Sequence, residues 1–197
     1  MIVWISGAHG VGKTTLATAL AGELFGAVVA DLESIGRAVQ KTLQGHPFAQ
    51  QDYQSCPPWD ATAVAFLSGL HAYIDGPVIV PMTVIDQNLL ATLLTALSES
   101  ADVHHLVLHA DPTVLKGRIT PAGTPCSGSI DAAEPRVDRL RHLDSGCRSA
   151  EGGLRAEGHV IDTSTLTQEQ VLASALAYLA GREATTCTAC EDGRVSR

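Results

Sequence analysis

Short apolar runs alternate along the chain with stretches of helical periodicity, and this alternation predicts the secondary structure. Apolar runs with the length of buried strands occur at residues 2–5, 26–30, 77–83, 103–110 and 158–164. Helical patterns lie between them, the first from about Lys13 to Leu20 and the others over residues 32–43, 61–74, 88–98 and 111–119. The run PVIVPMT at 77–83 is nearly continuous in apolar residues, which is typical of a strand covered on both faces.

The alternation of strands and helices predicts an α/β fold with a parallel sheet and helices on both faces. Thr167 and Gln170 form a capping-box pattern for a final helix, whose apolar stripe is Val171, Leu172, Ala175, Leu176 and Leu179. We expect one domain over residues 1–181 and a flexible tail at 182–197. Residues 44–60 contain glycine and proline without a clean period, which predicts an insertion near the site.

A glycine-rich motif separates the first strand from the first helix. GAHGVGKT, from Gly7 to Thr14, matches G-x-x-x-x-G-K-S/T, the P-loop or Walker A pattern, in the strand-to-helix setting that the pattern requires. Its glycines let successive backbone N–H groups surround a polyphosphate, and the helix dipole favours the same anion. We therefore predict a nucleoside triphosphate site formed by Gly7, Ala8, His9, Gly10, Val11, Gly12, Lys13, Thr14 and Thr15.

The residues at the end of the motif have distinct predicted roles. Lys13 is expected to reach the β- and γ-phosphates of ATP, the Thr14 hydroxyl to coordinate Mg²⁺, and Thr15 to lie near the α-phosphate. The third strand reads VIVPMT and carries no Walker B aspartate, so a second Mg²⁺ contact stays unassigned. This absence, with that of the N-K-x-D signature of GTPases, argues against a hydrolysis-driven machine.

An acidic residue, Asp31, follows the second predicted strand, and Glu33 comes two residues later. Ligands of open α/β sheets collect at the carboxyl ends of the strands, so Asp31 is a candidate to accept the proton of an attacking hydroxyl. The alternative role is the N-cap of the helix that starts at Leu32, which aspartate fills well. The two roles are compatible.

Positive charge is concentrated late in the chain, where six of the ten arginines lie between Arg118 and Arg155. The intervening TPAGTPCSGS is rich in turn residues, so residues 119–150 resemble the mobile lid of small kinases, whose arginines neutralise charge on the transferred phosphoryl group. Arg118 is thus a candidate catalytic and nucleotide-binding residue, and Arg136 a nucleotide-binding one, with Arg139 and Arg141 nearby. Ordinary solvated arginines are the alternative for at least half of this group.

Composition excludes several classes of protein. The net charge of −8 and the lack of a basic run argue against nucleic-acid binding. No apolar run is long enough to span a membrane, and five scattered cysteines form no disulfide framework, so we expect a cytoplasmic protein.

Cys187 and Cys190 make a lone C-x-x-C without a second ligand pair for zinc. His104 and His105 are adjacent on a strand and therefore point to opposite faces, so they do not readily bind one metal together, and structural or solvent-exposed roles are favoured.

Five blocks of sequence resemble a known family in order and spacing. They are IVWISGAHGVGKTTLA, VVADLESIGRAV, DYQSCPPW, VIVPMT and VHHLVLHADPTVLKGRI, and they resemble the tunicamycin-resistance proteins over roughly residues 1–120. The layout is also similar to that of the chloramphenicol phosphotransferases. These resemblances imply a three-layer P-loop fold with a five-stranded parallel sheet of order 2-3-1-4-5, and phosphoryl transfer from ATP to a small molecule.

The resemblance also implies an acceptor. Tunicamycin contains uridine, so Tyr53 and Trp59 are candidates to stack on its base, Gln54 to pair with the uracil edge, and Arg37 to bind a polar or anionic part. For Trp59 a hydrophobic anchor role is the alternative.

The leading hypothesis is thus an ATP- and Mg²⁺-dependent kinase that phosphorylates a hydroxyl of a nucleoside-like antibiotic. A nucleotide-dependent protein that sequesters the drug unmodified, and a metabolic nucleoside or sugar kinase, are the alternatives.

Overall fold

The computed structural model describes residues 1–119 and 158–191 of the chain. The predicted lid at 119–150, apart from the helix end at Ile119, lies outside these residues, and so do Arg136, Arg139 and Arg141. The end of the predicted tail, 192–197, lies outside them as well.

The described residues alternate between strands and helices, as the sequence predicts. The strands are β1 (Ile2–Gly7), β2 (Val28–Val29), β3 (Val78–Pro81), β4 (Val103–His109) and β5 (His159–Asp162). The α-helices are α1 (Lys13–Glu23), α2 (Leu32–Thr42), α3 (Pro57–Tyr73), α4 (Gln87–Ser98), α5 (Pro112–Ile119) and α6 (Gln168–Glu191). A short 3₁₀-helix, Tyr53–Ser55, precedes α3.

All described strands are parallel, and their order in the sheet is β2-β3-β1-β4-β5. The predicted fold class and strand order are therefore confirmed. Because the strands are parallel, the segments that follow β1, β2, β3 and β4 all leave the same edge of the sheet. The P-loop, Asp31, Thr83 and Asp111 are consequently brought to one edge.

Side chains of β1 divide between two cores on opposite faces of the sheet. Ile2 and Trp4 pack in one cluster with residues of α3 and α4, whereas Val3 and Ile5 pack in the other with residues of α1 and α6. This division follows from the period-two alternation of a strand. Since both faces are covered, the strand reads as a continuous apolar run.

Three of the differences from the predicted boundaries have a clear local cause. Strand β2 is limited to Val28–Val29, because Ala27 N–H donates to Leu24 O in a preceding turn (3.1 Å) and Asp31 caps the following helix. Helix α3 begins at Pro57 rather than Ala61, since proline fits the first turn of a helix. Helix α6 continues to Glu191, beyond the predicted start of the tail at residue 182. The stretch from 182 onward contains no proline or glycine before Asp192, so nothing in it breaks a helix.

The capping box of the last helix is present. Thr167 N–H donates to Gln170 Oε1 (2.9 Å), and Gln170 N–H donates to Thr167 Oγ1 (3.3 Å). The two backbone N–H groups are thus satisfied reciprocally, as the sequence pattern predicts.

The adjacent histidines of β4 occupy opposite faces of the sheet, as predicted. The His104 ring packs edge-on against Tyr178 of α6, with centroids 6.0 Å apart. His105 lies on the other face, with Nε2 2.9 Å from Ser6 Oγ. Both side chains are buried, so each is part of the protein interior.

Burial of His105 predicts a pH dependence of stability. Desolvation lowers the pKa of His105 to about 4, whereas the unfolded chain keeps a value near 6.5. Between these values the unfolded state takes up a proton that the folded state does not, so acidification favours unfolding. We expect this residue to contribute a loss of about 2–3 kcal/mol in the free energy of unfolding between pH 7 and pH 4.5.

Urea unfolding of the wild type and of His105→Gln at both pH values measures this contribution. The difference between the two pH values is expected to be smaller in the variant, which cannot titrate at this position. An equal loss in both proteins would contradict the assignment.

Candidate nucleotide and acceptor site

The P-loop passes close to the neighbouring strand β4. Gly7 has a positive φ of 145°, and a Cβ atom there would lie 2.5 Å from Leu108 O and 2.9 Å from the Val11 side chain. Only glycine fits at this point, because any side chain would push the loop away from the sheet. The motif glycine therefore sets the path of the loop.

The first turn of α1 is suited to bind an anion. Gly12 is the N-cap residue in a left-handed conformation (φ 107°), and no side chain caps the helix. The first backbone N–H groups of a helix have no partner within it, and the helix dipole adds positive potential there. Thr14 and Thr15 are exposed in this turn, so backbone N–H groups and two hydroxyls lie together where the sequence predicts the triphosphate.

Lys13 lies folded over the loop. Its Nζ donates to Gly7 O and to Ala8 O, both at 3.0 Å, and the side chain is half-buried. The ammonium group is therefore held beside the loop by carbonyl oxygens. Phosphate oxygens carry full negative charge and are stronger acceptors, so they can replace these carbonyls as partners of Lys13.

Thr83 connects the P-loop to the acceptor-side insertion. Its hydroxyl donates to Gly7 O (3.0 Å), and its carbonyl oxygen accepts a hydrogen bond from Gln54 Nε2 (2.8 Å). The sequence pattern does not single out Thr83, although it is the last residue of the apolar run at 77–83 and lies just beyond the end of β3. A polar residue at the carboxyl end of a central strand is the signal that could have identified it.

The carboxylate of Asp31 is engaged by its own helix. Asp31 Oδ1 accepts from Glu33 N–H (2.9 Å) and Ser34 N–H (3.4 Å), and Oδ2 accepts from the Ser34 hydroxyl. Arg37 Nη2 lies 3.3 Å from Oδ2. Asp31 is therefore the N-cap of α2, the second of the two roles considered for it. Strand β3 lies between β2 and β1, so Asp31 is about two strand spacings, roughly 10 Å, from the P-loop.

Arg37 belongs to the same charged cluster. It lies 3.5 Å from Glu33 Oε2 as well as close to Asp31, and half of its side chain (50%) is exposed. Its exposed part can still contact a ligand, but its charge is shared with two carboxylates.

The structure corrects the stacking role of Trp59. Its side chain is fully buried (0% exposed), and the indole Nε1 donates to Leu32 O (3.3 Å). A buried ring cannot stack on a nucleoside base, so the alternative of a hydrophobic anchor describes this residue. Tyr53 packs against it with ring centroids 5.4 Å apart, and the tyrosine ring lies over Gly36, where a Cβ atom would clash.

Tyr53 and Gln54 remain beside the edge of the sheet that carries the P-loop. Tyr53 is half-buried and keeps part of its surface exposed. The Gln54 side chain uses its amide nitrogen on Thr83 O, which leaves its carbonyl oxygen as the natural partner for a donor on a ligand. If Gln54 pairs with a uracil edge, as the resemblance implies, it would do so through its carbonyl oxygen, because its amide nitrogen is bonded to Thr83 O.

Arg118 is anchored on the other side of the P-loop. Its Nη1 donates to Thr163 Oγ1 (3.1 Å) and its Nη2 to Thr163 O (2.7 Å). Thr163 follows β5, and its hydroxyl is also 3.5 Å from Val11 O of the P-loop. Arg118 thus lies where β5 ends beside the loop. The sequence pattern does not single out Thr163, although it too follows a strand.

The chemistry of the site fits a magnesium ion bound through phosphate. Within residues 1–119 and 158–191, no group of three or more histidine, cysteine, aspartate or glutamate residues could hold a metal ion. Mg²⁺ in nucleotide sites is held mainly by phosphate oxygens and waters, with few protein ligands. The exposed Thr14 hydroxyl in the first turn of α1 suits this role.

No helix among the described residues has the length and the hydropathy to span a bilayer.

The chain resembles known proteins at the level of three-dimensional structure. No protein-family model matches the chain, and no curated protein matches it. Solved structures do resemble it. The tunicamycin resistance protein of Deinococcus radiodurans is 29% identical, with 90% of this chain and 94% of that chain covered and a TM-score of 0.64.

Two kinases share the fold at lower identity. A sugar kinase from Janibacter sp. is 22% identical over 91% of this chain and 94% of that chain (TM-score 0.60). A gluconokinase from Sinorhizobium meliloti is 20% identical over 95% of this chain and 94% of that chain (TM-score 0.59).

The fold and the strand order are those of solved P-loop kinase-like structures. The predicted resemblance to the tunicamycin-resistance proteins is confirmed by the similarity to the Deinococcus radiodurans protein.

Proposed function

We propose that the protein is an ATP- and Mg²⁺-dependent phosphotransferase that transfers the γ-phosphoryl group to a hydroxyl of tunicamycin or a similar uridine-containing compound. The observation that carries this proposal is the P-loop geometry, an uncapped helix N-terminus with Lys13 beside it. The likeness to a tunicamycin resistance protein supports the choice of acceptor.

The acceptor would lie in the space between the P-loop and Asp31. The acceptor would then be flanked by the end of β3, by Asp31 and Arg37 of the α2 N-terminal region, and by the 3₁₀-helix with Tyr53 and Gln54. A separation of roughly 10 Å between strands β1 and β2 leaves room for a γ-phosphoryl group and an acceptor hydroxyl. Arg118 would approach the nucleotide from the opposite side, beside Val11.

Catalysis in this arrangement relies mainly on positioning and electrostatics. Lys13, the loop N–H groups and Mg²⁺ would neutralise charge on the phosphates as the γ-phosphoryl group is transferred. Asp31 would orient the acceptor hydroxyl or accept its proton, in addition to capping α2. The exposed arm of Arg37 would contact a polar part of the acceptor.

Mass spectrometry of the reaction products tests the proposal. The protein is incubated with ATP, Mg²⁺ and tunicamycin, or with uridine and with gluconate as alternative acceptors. Gain of one phosphoryl group by tunicamycin is the expected result. Phosphorylation of uridine or gluconate alone would favour a metabolic kinase, and unmodified drug that co-elutes with the protein would indicate sequestration.

Substitution of Asp31 separates its catalytic role from its capping role. Asparagine is as good an N-cap as aspartate but cannot accept a proton. Its amide group also loses the exposed contacts of Oδ2 with Ser34 and Arg37, so Asp31→Asn is expected to lower the free energy of unfolding by less than about 1 kcal/mol. The turnover rate is expected to fall by about 10²-fold or more. Steady-state kinetics and urea unfolding measure the two effects.

Asp86→Asn is the matched control, because Asp86 caps α4 in the same way and accepts from Asn88 N–H and Leu89 N–H. It is expected to leave turnover unchanged. Full turnover in Asp31→Asn would restrict Asp31 to a capping role.

A further inference from the structure

A chain of hydrogen bonds joins the acceptor-side insertion to the P-loop. Gln54 Nε2 donates to Thr83 O (2.8 Å), Thr83 Oγ1 donates to Gly7 O (3.0 Å), and Gly7 O also accepts from Lys13 Nζ (3.0 Å). The contacts span 29 and 76 residues of sequence, so they are tertiary contacts rather than local turns. Thr83 is the residue that both sides share.

The Thr83 hydroxyl acts on the first peptide group of the P-loop. In a trans peptide the C=O and N–H groups point in opposite directions, so holding Gly7 O also fixes the direction of the Ala8 N–H. Within the loop, Lys13 Nζ also donates to Ala8 O (3.0 Å), and Val11 N–H donates to the same oxygen (3.3 Å). Loss of the Thr83 hydroxyl would leave Gly7 O with the Lys13 ammonium group, which the phosphates are expected to draw away, and would therefore weaken the restraint on this peptide.

The carbonyl of Thr83 links the residue to the acceptor-side insertion through its hydrogen bond with Gln54. The side chain of Gln54 comes from the 3₁₀-helix Tyr53–Ser55, which also packs through Tyr53 onto Trp59 and α2. A ligand that moves or orders this helix must act on the Gln54 amide and therefore on Thr83. Both segments are then restrained by the same residue at the end of β3.

We propose that Thr83 is a positioning residue that couples the acceptor-side segment to the P-loop through its hydroxyl and its carbonyl. The link to acceptor binding rests on the proposed function, whereas the effect on nucleotide binding does not. Thr83 would hold Gly7 O in the orientation that the loop needs to bind phosphates. Binding of the acceptor would change the position of Gln54, and its hydrogen bond would pass this change to Thr83.

Titration calorimetry with ATP and Mg²⁺ tests the nucleotide half. Thr83→Val keeps the shape and the carbonyl but removes the hydroxyl, and we expect the Kd for ATP to rise about three- to tenfold. Thr83→Ser restores a hydroxyl and is expected to return the Kd to within about twofold of the wild type. Equal ATP affinity in Thr83→Val and wild type would overturn the proposal.

A double-mutant cycle tests whether Gln54 acts through Thr83. Gln54→Leu is expected to weaken ATP binding about two- to fivefold, and the double variant Thr83→Val with Gln54→Leu to bind about as weakly as Thr83→Val alone. Strictly additive effects would contradict a shared path. The melting temperature of each variant is recorded, since a loss of affinity that follows global stability would indicate a merely structural role.

Gln40→Leu is the matched control, because Gln40 Nε2 also donates to a backbone carbonyl of the insertion, Gln51 O (2.7 Å). This contact does not involve Thr83 or the P-loop, so ATP affinity is expected to stay unchanged. A loss equal to that of Gln54→Leu would contradict the proposal.

The acceptor half is measured as the change in ATP affinity when tunicamycin is present. Tunicamycin is expected to shift the Kd for ATP in the wild type and to shift it by less than half as much in Thr83→Val. An undiminished shift in Thr83→Val would overturn the coupling. Absence of tunicamycin phosphorylation would reject the proposed function instead, since the ATP titrations need no acceptor.

Discussion

Replacement of Lys13 by alanine is expected to lower the rate of phosphoryl transfer by about 10³-fold and to weaken ATP binding. The ammonium group is the charged side chain that the structure places on the P-loop, within 3.0 Å of Gly7 O and Ala8 O. Removal of a preorganised donor from a charge-stabilising site costs about 10²- to 10³-fold in rate, and Lys13 carries a full charge as well. Phosphorylated product from ATP and tunicamycin is quantified over time for the wild type and the variant.

Lys41→Ala supplies the control for loss of a positive charge. Lys41 is exposed in the last turn of α2, away from the P-loop end of the first strand. Its removal is expected to change the rate by less than about twofold, because exposed charges interact weakly. Comparable rates in Lys13→Ala and wild type would show that phosphoryl transfer does not depend on the P-loop.

Replacement of Trp59 by alanine is expected to produce the largest loss of stability. The side chain is completely buried in the core between the sheet and helices α3 and α4, and removal of such a ring costs about 3–5 kcal/mol. Loss of its hydrogen bond leaves Leu32 O without this donor, which adds to the cost. Urea unfolding followed by circular dichroism measures the change.

Two further variants test whether the loss of stability comes from the buried contacts of the Trp59 ring. Trp59→Phe keeps most of the apolar contact and is expected to lose less stability than Trp59→Ala. Phe66→Ala, on the same helix but 42% exposed, is expected to cost less than about 1.5 kcal/mol. Wild-type stability in Trp59→Ala together with lost drug binding would restore the stacking role that the burial of Trp59 excludes.

The sheet and the P-loop could be predicted because their signals are local. The five apolar runs have strand length, and the motif Gly7 to Thr14 stands between a strand and a helix, which is its required context. The fold and the candidate phosphate-binding half of the site follow from these features.

The acceptor side could not be predicted to the same degree, because its contacts are non-local. Proline suits both a loop and the first turn of a helix, so Pro57 and Pro58 did not reveal that Trp59 lies inside α3. Asp31 satisfies the patterns of a cap and of a catalytic carboxylate equally well. The role of Thr83 depends on Gln54 and Gly7, which lie far from it in sequence.

The short strand at one border of the sheet has a consequence for how copies of the protein meet. Strand β2 contains only Val28 and Val29, and it pairs on one side with β3. Its other side therefore offers very few backbone groups to an extended segment of another molecule. Long open borders are templates for strand addition and aggregation, and a two-residue strand is too brief to nucleate it. The shortness of β2 therefore disfavours self-association by strand pairing at this border of the sheet.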